Sequence, residues 1–383
     1  MEAKRFSSAP SVLKAAFLGG AYETTIGRIH HIAMAMDRRF ELVAGCFSRS
    51  EEANHAGGRL YGLPEHRVHS SLEALLAAEK PHIDVVIILT PTNQHTPQVI
   101  RCIEAGIPVI CEKSLAVSSE EARQIDAILQ RHHGYLAVIQ NYSGYPMLRE
   151  LKHRVENGQL GHLQQILLEM PQEGFSRLNI QGKPNLPQSW RLHDNTIPTL
   201  SLDLGVHLHN LAAFISGQRP QQVMAATRTY GNFGHIADTV SCTAHYSNNL
   251  LCQMWYTKTA LGQRNGLSLR LYGEQGSAEW HQDNAEQLLM TDKYGRRLML
   301  DAGSPDTQVG SNGRYIRFRP GHPNGFIEAF ANHYADIADS LHNYRKGKNS
   351  ENPFIFDIQH SIAALEFLEA VALSSKQNQW INL

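Results

Sequence analysis

The residues in this sequence best equipped to do chemistry are Lys113, Asp203 and His207. Lysine is most often a solvated surface residue. Lys113, however, comes directly after the apolar run Ile107–Cys111 and Glu112. If that run is a buried strand, the ammonium stands at its carboxyl edge, where open α/β sheets bind their ligands. Asp203 and His207 belong to the run Asp203-Leu204-Gly205-Val206-His207 and are four residues apart. On a helix that spacing places both side chains on one face. There an acid and an imidazole can share a proton or orient one another. Taken alone, the pair reads equally well as a capping aspartate and a structural histidine. His207 and His209 also form an H-x-H pair, but the chain has 21 histidines, so such pairs arise by chance and no metal site is expected.

The elements that would position these residues follow from the apolar spacing. Leu13–Leu18 reads as a buried strand entering the Gly19-Gly20 turn, and Ile29, Ile32, Ala33 and Met36 then recur at helical spacing. Further strands are expected at Phe40–Phe47, at Val68, at Ile83–Leu89, at Ile107–Cys111 and at Tyr135–Gln140. Between them the sequence predicts helices over 50–61 and 118–132, one opening on a Ser70/Glu73 capping box and stopping before Pro81, and one ending at Ala105 with Gly106 as its cap. Strands alternating with helices in this way indicate a doubly wound parallel sheet.

The residues just past those strands are therefore the informative ones. Gly19, Gly20, Ile26 and Gly27 make a lengthened, displaced version of the glycine-rich loop that presents backbone N–H groups and a helix N-terminus to a pyrophosphate. After the second strand come Ser48, Arg49 and Ser50 instead of the acidic residue that accepts from an adenosine ribose. Arg49 can pair with a 2′-phosphate, so NADP is favoured over NAD. The fourth expected strand ends in Thr90-Pro91 and leads to His95, and the fifth ends in Glu112-Lys113-Ser114.

After about residue 141 the pattern changes. Alternating segments at 163–170, 221–229, 238–246, 250–258, 267–273 and 276–281 predict a mostly antiparallel sheet. Helices are expected near 145–157, 204–215, 327–344 and 358–374, with long loops over 171–200 and 302–325. Loops of that length in a compact domain are often functional. The expected division is a dinucleotide-binding domain over 1–140 and an α/β domain over 141–383 for substrate binding and oligomerisation.

Composition narrows the field. The chain has 383 residues, 42% hydrophobic and 19% charged, with a formal net charge of −1. Such a balance leaves no electrostatic footprint for nucleic acid or an anionic membrane. No apolar run approaches the roughly 20 residues of a membrane span. The N-terminal stretch has Lys4 and Arg5, and its apolar run is broken by Lys14, so a signal peptide is not expected. Five cysteines without C-x-x-C spacing suit reduced thiols in the cytoplasm.

Several segments in order resemble the Gfo/Idh/MocA oxidoreductases: Thr90 to His95 as T-P-x-x-x-H, Ala105 to Ser114 as A-G-x-x-V-x-x-E-K-P, the pair Asn141-Tyr142, and Asp203 to His207 as D-x-G-x-H. The resemblance runs from about residue 13 to the C-terminal helix. It departs at Ser114, where the family has proline, and serine is expected to leave that turn freer. The Ile26-Gly27 loop, Trp190-Arg191 and Gly321-His322-Pro323 resemble a subset described only broadly as sugar dehydrogenases.

The resemblance implies an N-terminal Rossmann domain, a C-terminal domain with a large open sheet that pairs subunits into homodimers or homotetramers, and an active site in the cleft between them. It implies an NAD(P)-dependent oxidoreductase acting on a secondary alcohol of a sugar, a sugar derivative or a cyclitol. His207 would be the general base, Asp203 would orient it or hold another hydroxyl, and Lys113 would stabilise the charge developing on the reacting oxygen. Asn141 and Tyr142 would border nicotinamide and sugar, while Trp190, Arg191 and His322 would line the substrate side. Two other outcomes stay open: an NAD-dependent glycosidase of the same superfamily, and a dinucleotide-binding regulator without catalysis.

Overall fold

The computed structural model describes residues 11–22, 24–348 and 352–383, so Lys4 and Arg5 lie outside the described residues. By internal contacts the chain forms two compact units.

The first unit holds a five-stranded parallel sheet of β1 (Leu13–Gly19), β2 (Phe40–Cys46), β3 (Val85–Leu89), β4 (Val109–Cys111) and β5 (Leu136–Val138), in the order β2-β1-β3-β4-β5. All five residues of β3, Val-Val-Ile-Ile-Leu, are buried. A strand covered on both faces has to be apolar throughout, and each such side chain contributes about 1.5–3 kcal/mol on burial. Helices α1 (Thr25–Met36), α2 (Glu51–Leu60), α3 (Leu72–Glu79), α4 (His95–Glu104) and α5 (Ser119–His132) alternate with the strands. The strand order reverses between β1 and β3, so their carboxyl ends, Gly19 and Leu89, lie side by side. That is the switch point where such sheets hold ligands.

Two local expectations are corrected. Val68 forms only an isolated bridge to Gly45 and no strand. The cap of α3 is Ser71, whose hydroxyl accepts from the Ala74 amide at 3.1 Å, one residue later than the expected Ser70. With serines at both positions, the register of the helix decides which one caps.

The second unit is built on a nine-stranded sheet in the order β13-β12-β11-β10-β6-β9-β8-β7-β14. Its strands are β6 (Leu163–Pro171), β7 (Pro220–Arg228), β8 (Thr239–Tyr246), β9 (Leu250–Thr257), β10 (Ser268–Gly273), β11 (Gly276–His281), β12 (Leu288–Asp292), β13 (Arg297–Leu300) and β14 (Ile381–Asn382). Every pair is antiparallel except β6 with β9. Helices α6 (Pro146–Glu156) and α7 (Val206–Ser216) pack together, and α7 also packs on β6. The last helices are α8 (Phe326–Arg345) and α9 (Ile358–Gln377).

The units are not continuous in sequence. Residues 330–358, expected in the second part, group with the first unit. Two bonds show why: the Tyr334 hydroxyl lies 2.5 Å from His30 Nδ1 on α1, and the Val138 amide on β5 donates to the Phe356 carbonyl at 2.8 Å.

The long loop at 302–325 is tied down in its middle by the Glu150 carboxylate. Glu150 Oε2 on α6 accepts from the amides of Gln308, Val309 and Gly310 at 3.0, 2.8 and 3.0 Å, while Arg154 donates to Oε1 at 2.8 Å. Burial alone would raise the Glu150 pKa, but the three amides and Arg154 overcome it and hold the carboxyl below its ordinary value. Among the described residues no helix is long and apolar enough to cross a membrane.

Candidate active site

At the carboxyl end of β1, Gly19 and Gly20 have φ of 80° and 68°, in the left-handed region that favours glycine. A Cβ on Gly19 would stand 2.8 Å from the Thr90 side chain, and one on Gly27 would stand 2.1 Å from the Gly20 carbonyl oxygen and 2.5 Å from the Tyr61 hydroxyl. The loop therefore closes on the start of α1 with no room for a side chain. Thr24 caps that helix, accepting from the Gly27 amide at 3.4 Å. The result is a glycine-lined helix N-terminus at the switch point, with half-buried Ile26 in its first turn. It is a cradle that fits a dinucleotide pyrophosphate.

The adenosine-side loop after β2 is ordered by Asn54, whose Oδ1 accepts from the amides of Phe47 and Ser48 at 2.6 and 3.3 Å. Ser50 caps α2, Ser48 accepts from the Ser50 amide at 3.1 Å, and Arg49 is exposed.

The strand-end residues Thr90, Glu112 and Ser114 are joined by buried histidines. His95 is 1% exposed, with Nε2 2.7 Å from the Thr90 carbonyl and Nδ1 2.8 Å from the Ser114 carbonyl. Burial lowers its pKa, and the two carbonyls, which favour a charged ring, offset only part of that. With both nitrogens engaged, His95 braces the turns after β3 and β4. Pro91, half-buried, begins the turn that leads to it. Glu112 is likewise committed inward: Oε1 lies 2.8 Å from His30 Nε2, and Oε2 accepts from the Lys113 amide at 3.1 Å. Lys113 itself is half-buried directly past β4, as its spacing predicts. The Lys113–Ser114 peptide bond is cis, and Ser114, expected to leave the turn freer, is buried with its carbonyl held by His95.

In the second unit, Asn141 and Tyr142 open a buried turn before α6. Among the described residues, Asn141 Nδ2 is buried without a hydrogen-bond partner, a donor that a bound polar group would satisfy. Tyr142 stands edge-on to His207, with ring centroids 4.7 Å apart, and its hydroxyl accepts from Asn265 Nδ2 at 3.0 Å. His207 lies in the first turn of α7 and Asp203 in the π-helical turn Ser201–Gly205 that precedes it. Single π-turns of this kind are frequent at functional sites.

The surroundings of Asp203 differ from those expected. Its Oδ2 accepts from the Arg191 guanidinium and from Lys258 Nζ, the latter at 2.5 Å. Arg191 is stacked over Trp190, 4.4 Å from the ring centroid. The structure thus brings Trp190 and Arg191, expected only on the substrate side, onto Asp203, and adds Lys258. His322 is exposed, in a turn closed by its amide on the Arg319 carbonyl, and no contact among the described residues ties it to this cluster.

Spacing could not single out Lys258, which lies 55 residues from Asp203; its one signal is its position just past a strand. His30 and Tyr334 were missed as well. His30 carried a signal, a histidine on the buried face that Gly27, Ala33 and Met34 define on α1.

A parallel sheet with a glycine-lined switch point, a lysine at a strand end and an acid–imidazole pair define a dinucleotide-dependent oxidoreductase. The comparisons with known proteins agree. Residues 13–140 match the model described as "Oxidoreductase family, NAD-binding Rossmann fold", and residues 148–279 match the GFO/IDH/MocA C-terminal domain. The chain belongs to the Gfo/Idh/MocA oxidoreductase family. It is 26% identical to the uncharacterized oxidoreductase YfiI of Bacillus subtilis, over 100% of this chain and 99% of that protein. It is 25% identical to the levoglucosan dehydrogenase of Pseudarthrobacter phenanthrenivorans, over 64% of this chain and 65% of that one. An inositol dehydrogenase homolog from Azotobacter vinelandii, solved with NADH and myo-inositol, has the same fold: TM-score 0.88, 22% identity, 98% of each chain covered.

Proposed function

We propose that this oxidoreductase moves a hydride between a nicotinamide cofactor and a secondary alcohol of a sugar, a sugar derivative or a cyclitol. The observation that carries the reading is the placement of Asp203 and His207 in adjoining turns at one helix start, with Tyr142 beside the imidazole and Arg191 and Lys258 on the carboxylate. The sugar and inositol relatives support the same substrate class.

A bound nicotinamide supplies the two-electron acceptor. The loop of Gly19, Gly20 and Gly27, with the α1 N-terminus, would hold the pyrophosphate, and the orphaned Asn141 amide would donate to a bound polar group. A ring nitrogen of His207 takes the hydroxyl proton on oxidation and returns it on reduction, a role an imidazole can fill in both directions. The role we assign to the Lys113 ammonium is to stabilise the negative charge that develops on the reacting oxygen. Asp203 accepts from a second substrate hydroxyl, and Trp190 and Arg191 border the sugar. Glu112 and His95 act by holding the backbone on either side of Lys113.

The cofactor we favour is NADP, because Arg49 with Ser48 and Ser50 stands where NAD enzymes carry a carboxylate. We place the enzyme in the cytoplasm on its five free thiols. We also propose homo-oligomers through the large sheet, whose strands expose Trp255, Tyr272, Leu298 and Met299; light scattering in solution tests this.

The test of function is a panel of sugars, sugar phosphates, nucleotide sugars and inositols with NAD and NADP, followed by absorbance of the reduced cofactor. Net reduction is expected with at least one polyol; release of a free sugar from a glycoside without it would overturn the reading. Lys113→Ala is expected to lower turnover at least ~100-fold with cofactor affinity kept, and near-normal turnover would remove Lys113 from the mechanism. Arg49→Glu is expected to shift the kcat/KM ratio toward NAD at least ~tenfold. A wild-type preference for NAD would refute the cofactor assignment.

A further inference from the structure

Lys258 is built into the second unit more firmly than a surface lysine. It follows the last residue of β9, its amide donates to the Asp238 carbonyl at 2.9 Å, and its carbonyl accepts from the Phe175 amide at 2.8 Å. The side chain is only 9% exposed. Its ammonium lies 5.1 Å from the centroid of the Phe175 ring and 2.5 Å from Asp203 Oδ2. Phe175 is in turn packed in a small core with Phe233 and Ile236. An ammonium is costly to bury unless it is paired, and holding a long lysine chain in one rotamer costs conformational entropy. The arrangement spends both on one carboxylate. Arg191, which meets the same oxygen, comes from the short 3-10 turn Ser189–Leu192 and is 27% exposed, so Lys258 is the more deeply held arm of the pair.

We propose that Lys258 is a positioning residue for the reaction: its ammonium holds Asp203 in one orientation and in its charged form, so that Asp203 meets substrate only as a hydrogen-bond acceptor. The inference rests on the oxidoreductase reading of Asp203 and His207. It adds a condition on the substrate. Asp203 and His207 are four residues apart at the start of one helix, so the substrate presents a hydroxyl donor to Asp203 beside the hydroxyl that loses its proton. That is the pattern of a vicinal diol. A substrate whose neighbouring hydroxyl is removed or methylated would forgo that hydrogen bond.

The variants that test this are Lys258→Met and Lys258→Arg in the full-length enzyme, with the best polyol from the panel and its deoxy analogue. Lys258→Met is expected to lower kcat/KM about 100-fold, the scale for a reacting group misplaced by an ångström. NADPH affinity, read by fluorescence, should stay unchanged, and Lys258→Arg should recover most of the loss. The deoxy analogue should be a poor substrate of the wild type and gain little further loss from Lys258→Met. Near-normal kcat/KM in Lys258→Met, or a loss in Lys258→Arg equal to it, would overturn the proposal. If the wild type oxidises no polyol, the functional reading fails separately, and Lys258 is then judged by carbon-13 NMR titration of the Asp203 carboxyl, assigned through Asp203→Asn. A midpoint raised by about one pH unit in Lys258→Met supports the proposal; an unchanged midpoint overturns it. Should Lys258→Met fail to fold, Lys258→Gln takes its place in each measurement.

Discussion

The His207 imidazole stands edge-on to the Tyr142 ring, with centroids 4.7 Å apart and planes at 88°. The Tyr142 hydroxyl is itself fixed by Asn265 at 3.0 Å, and Asn265 also donates to Gln282 Oε1 at 2.6 Å. The candidate base is therefore held by a ring that cannot easily rotate. His207→Asn is expected to lower kcat by about 10²–10⁴, the contribution of a positioned general base, with cofactor affinity retained. Tyr142→Leu should produce a smaller fall in kcat. Steady-state kinetics decide, and a His207→Asn enzyme with normal kcat would exclude the base.

A second relationship lies behind Lys113. His30 bridges the Tyr334 hydroxyl at 2.5 Å and Glu112 at 2.8 Å, and all three residues are buried. His30→Ala would leave both partners unsatisfied and open a cavity, each costly in a packed interior. The expected loss is about 3 kcal/mol, read from urea unfolding, whereas Tyr334→Phe should cost about 1 kcal/mol because only one bond is lost. Equal stability of wild type and His30→Ala would show that the network contributes nothing.

Gly27 tests the cofactor cradle. The Cβ of Gly27→Ala would fall 2.1 Å from the Gly20 carbonyl oxygen, so the loop backbone must move. Overpacking of this kind costs about 1–3 kcal/mol. Since 1.4 kcal/mol is about tenfold in affinity, NADPH binding should weaken roughly ten- to hundredfold. Fluorescence titration measures it, and unchanged affinity would place the dinucleotide elsewhere.

His209 gives stability a pH dependence. It is fully enclosed against Phe367, neither ring nitrogen has a hydrogen-bond partner among the described residues, and burial lowers its pKa from 6.5 to about 4. A group whose folded pKa is depressed in this way binds its proton in the unfolded chain first. Its folded state is fully favoured above the unfolded pKa, and stability falls as pH drops from about 6.5 toward 4. Between pH 7 and pH 5 the loss should be about 2 kcal/mol. The acid loss should be smaller by that amount in His209→Leu, compared at both pH values by urea midpoint. Parallel losses in the two proteins would assign the acid sensitivity to other groups.

Much of this molecule was legible along the chain because the signals are local. An all-apolar run such as Val85–Leu89 suits only a strand covered on both faces, and its alternation with helical spacing implies the parallel sheet. The same reasoning placed Lys113 past β4 and put Asp203 and His207 on one turn. Strands β12 and β13 escaped notice because their burial does not alternate cleanly. Ser70 and Ser71 could not be told apart until the register of α3 chose between them.

What the tertiary structure alone decided is who holds whom. The cation on Asp203 that sequence spacing missed comes from 55 residues away, and the clamp on Glu112 comes from His30, 82 residues before it, with Tyr334 304 residues beyond that histidine. Periodicity encodes which face of an element is buried. It carries no information about which distant face will meet it, and a buried charge finds its partner only when the chain closes. Sequence was therefore enough to single out Lys113, Asp203 and His207 as candidates, and folding was needed to give them their surroundings.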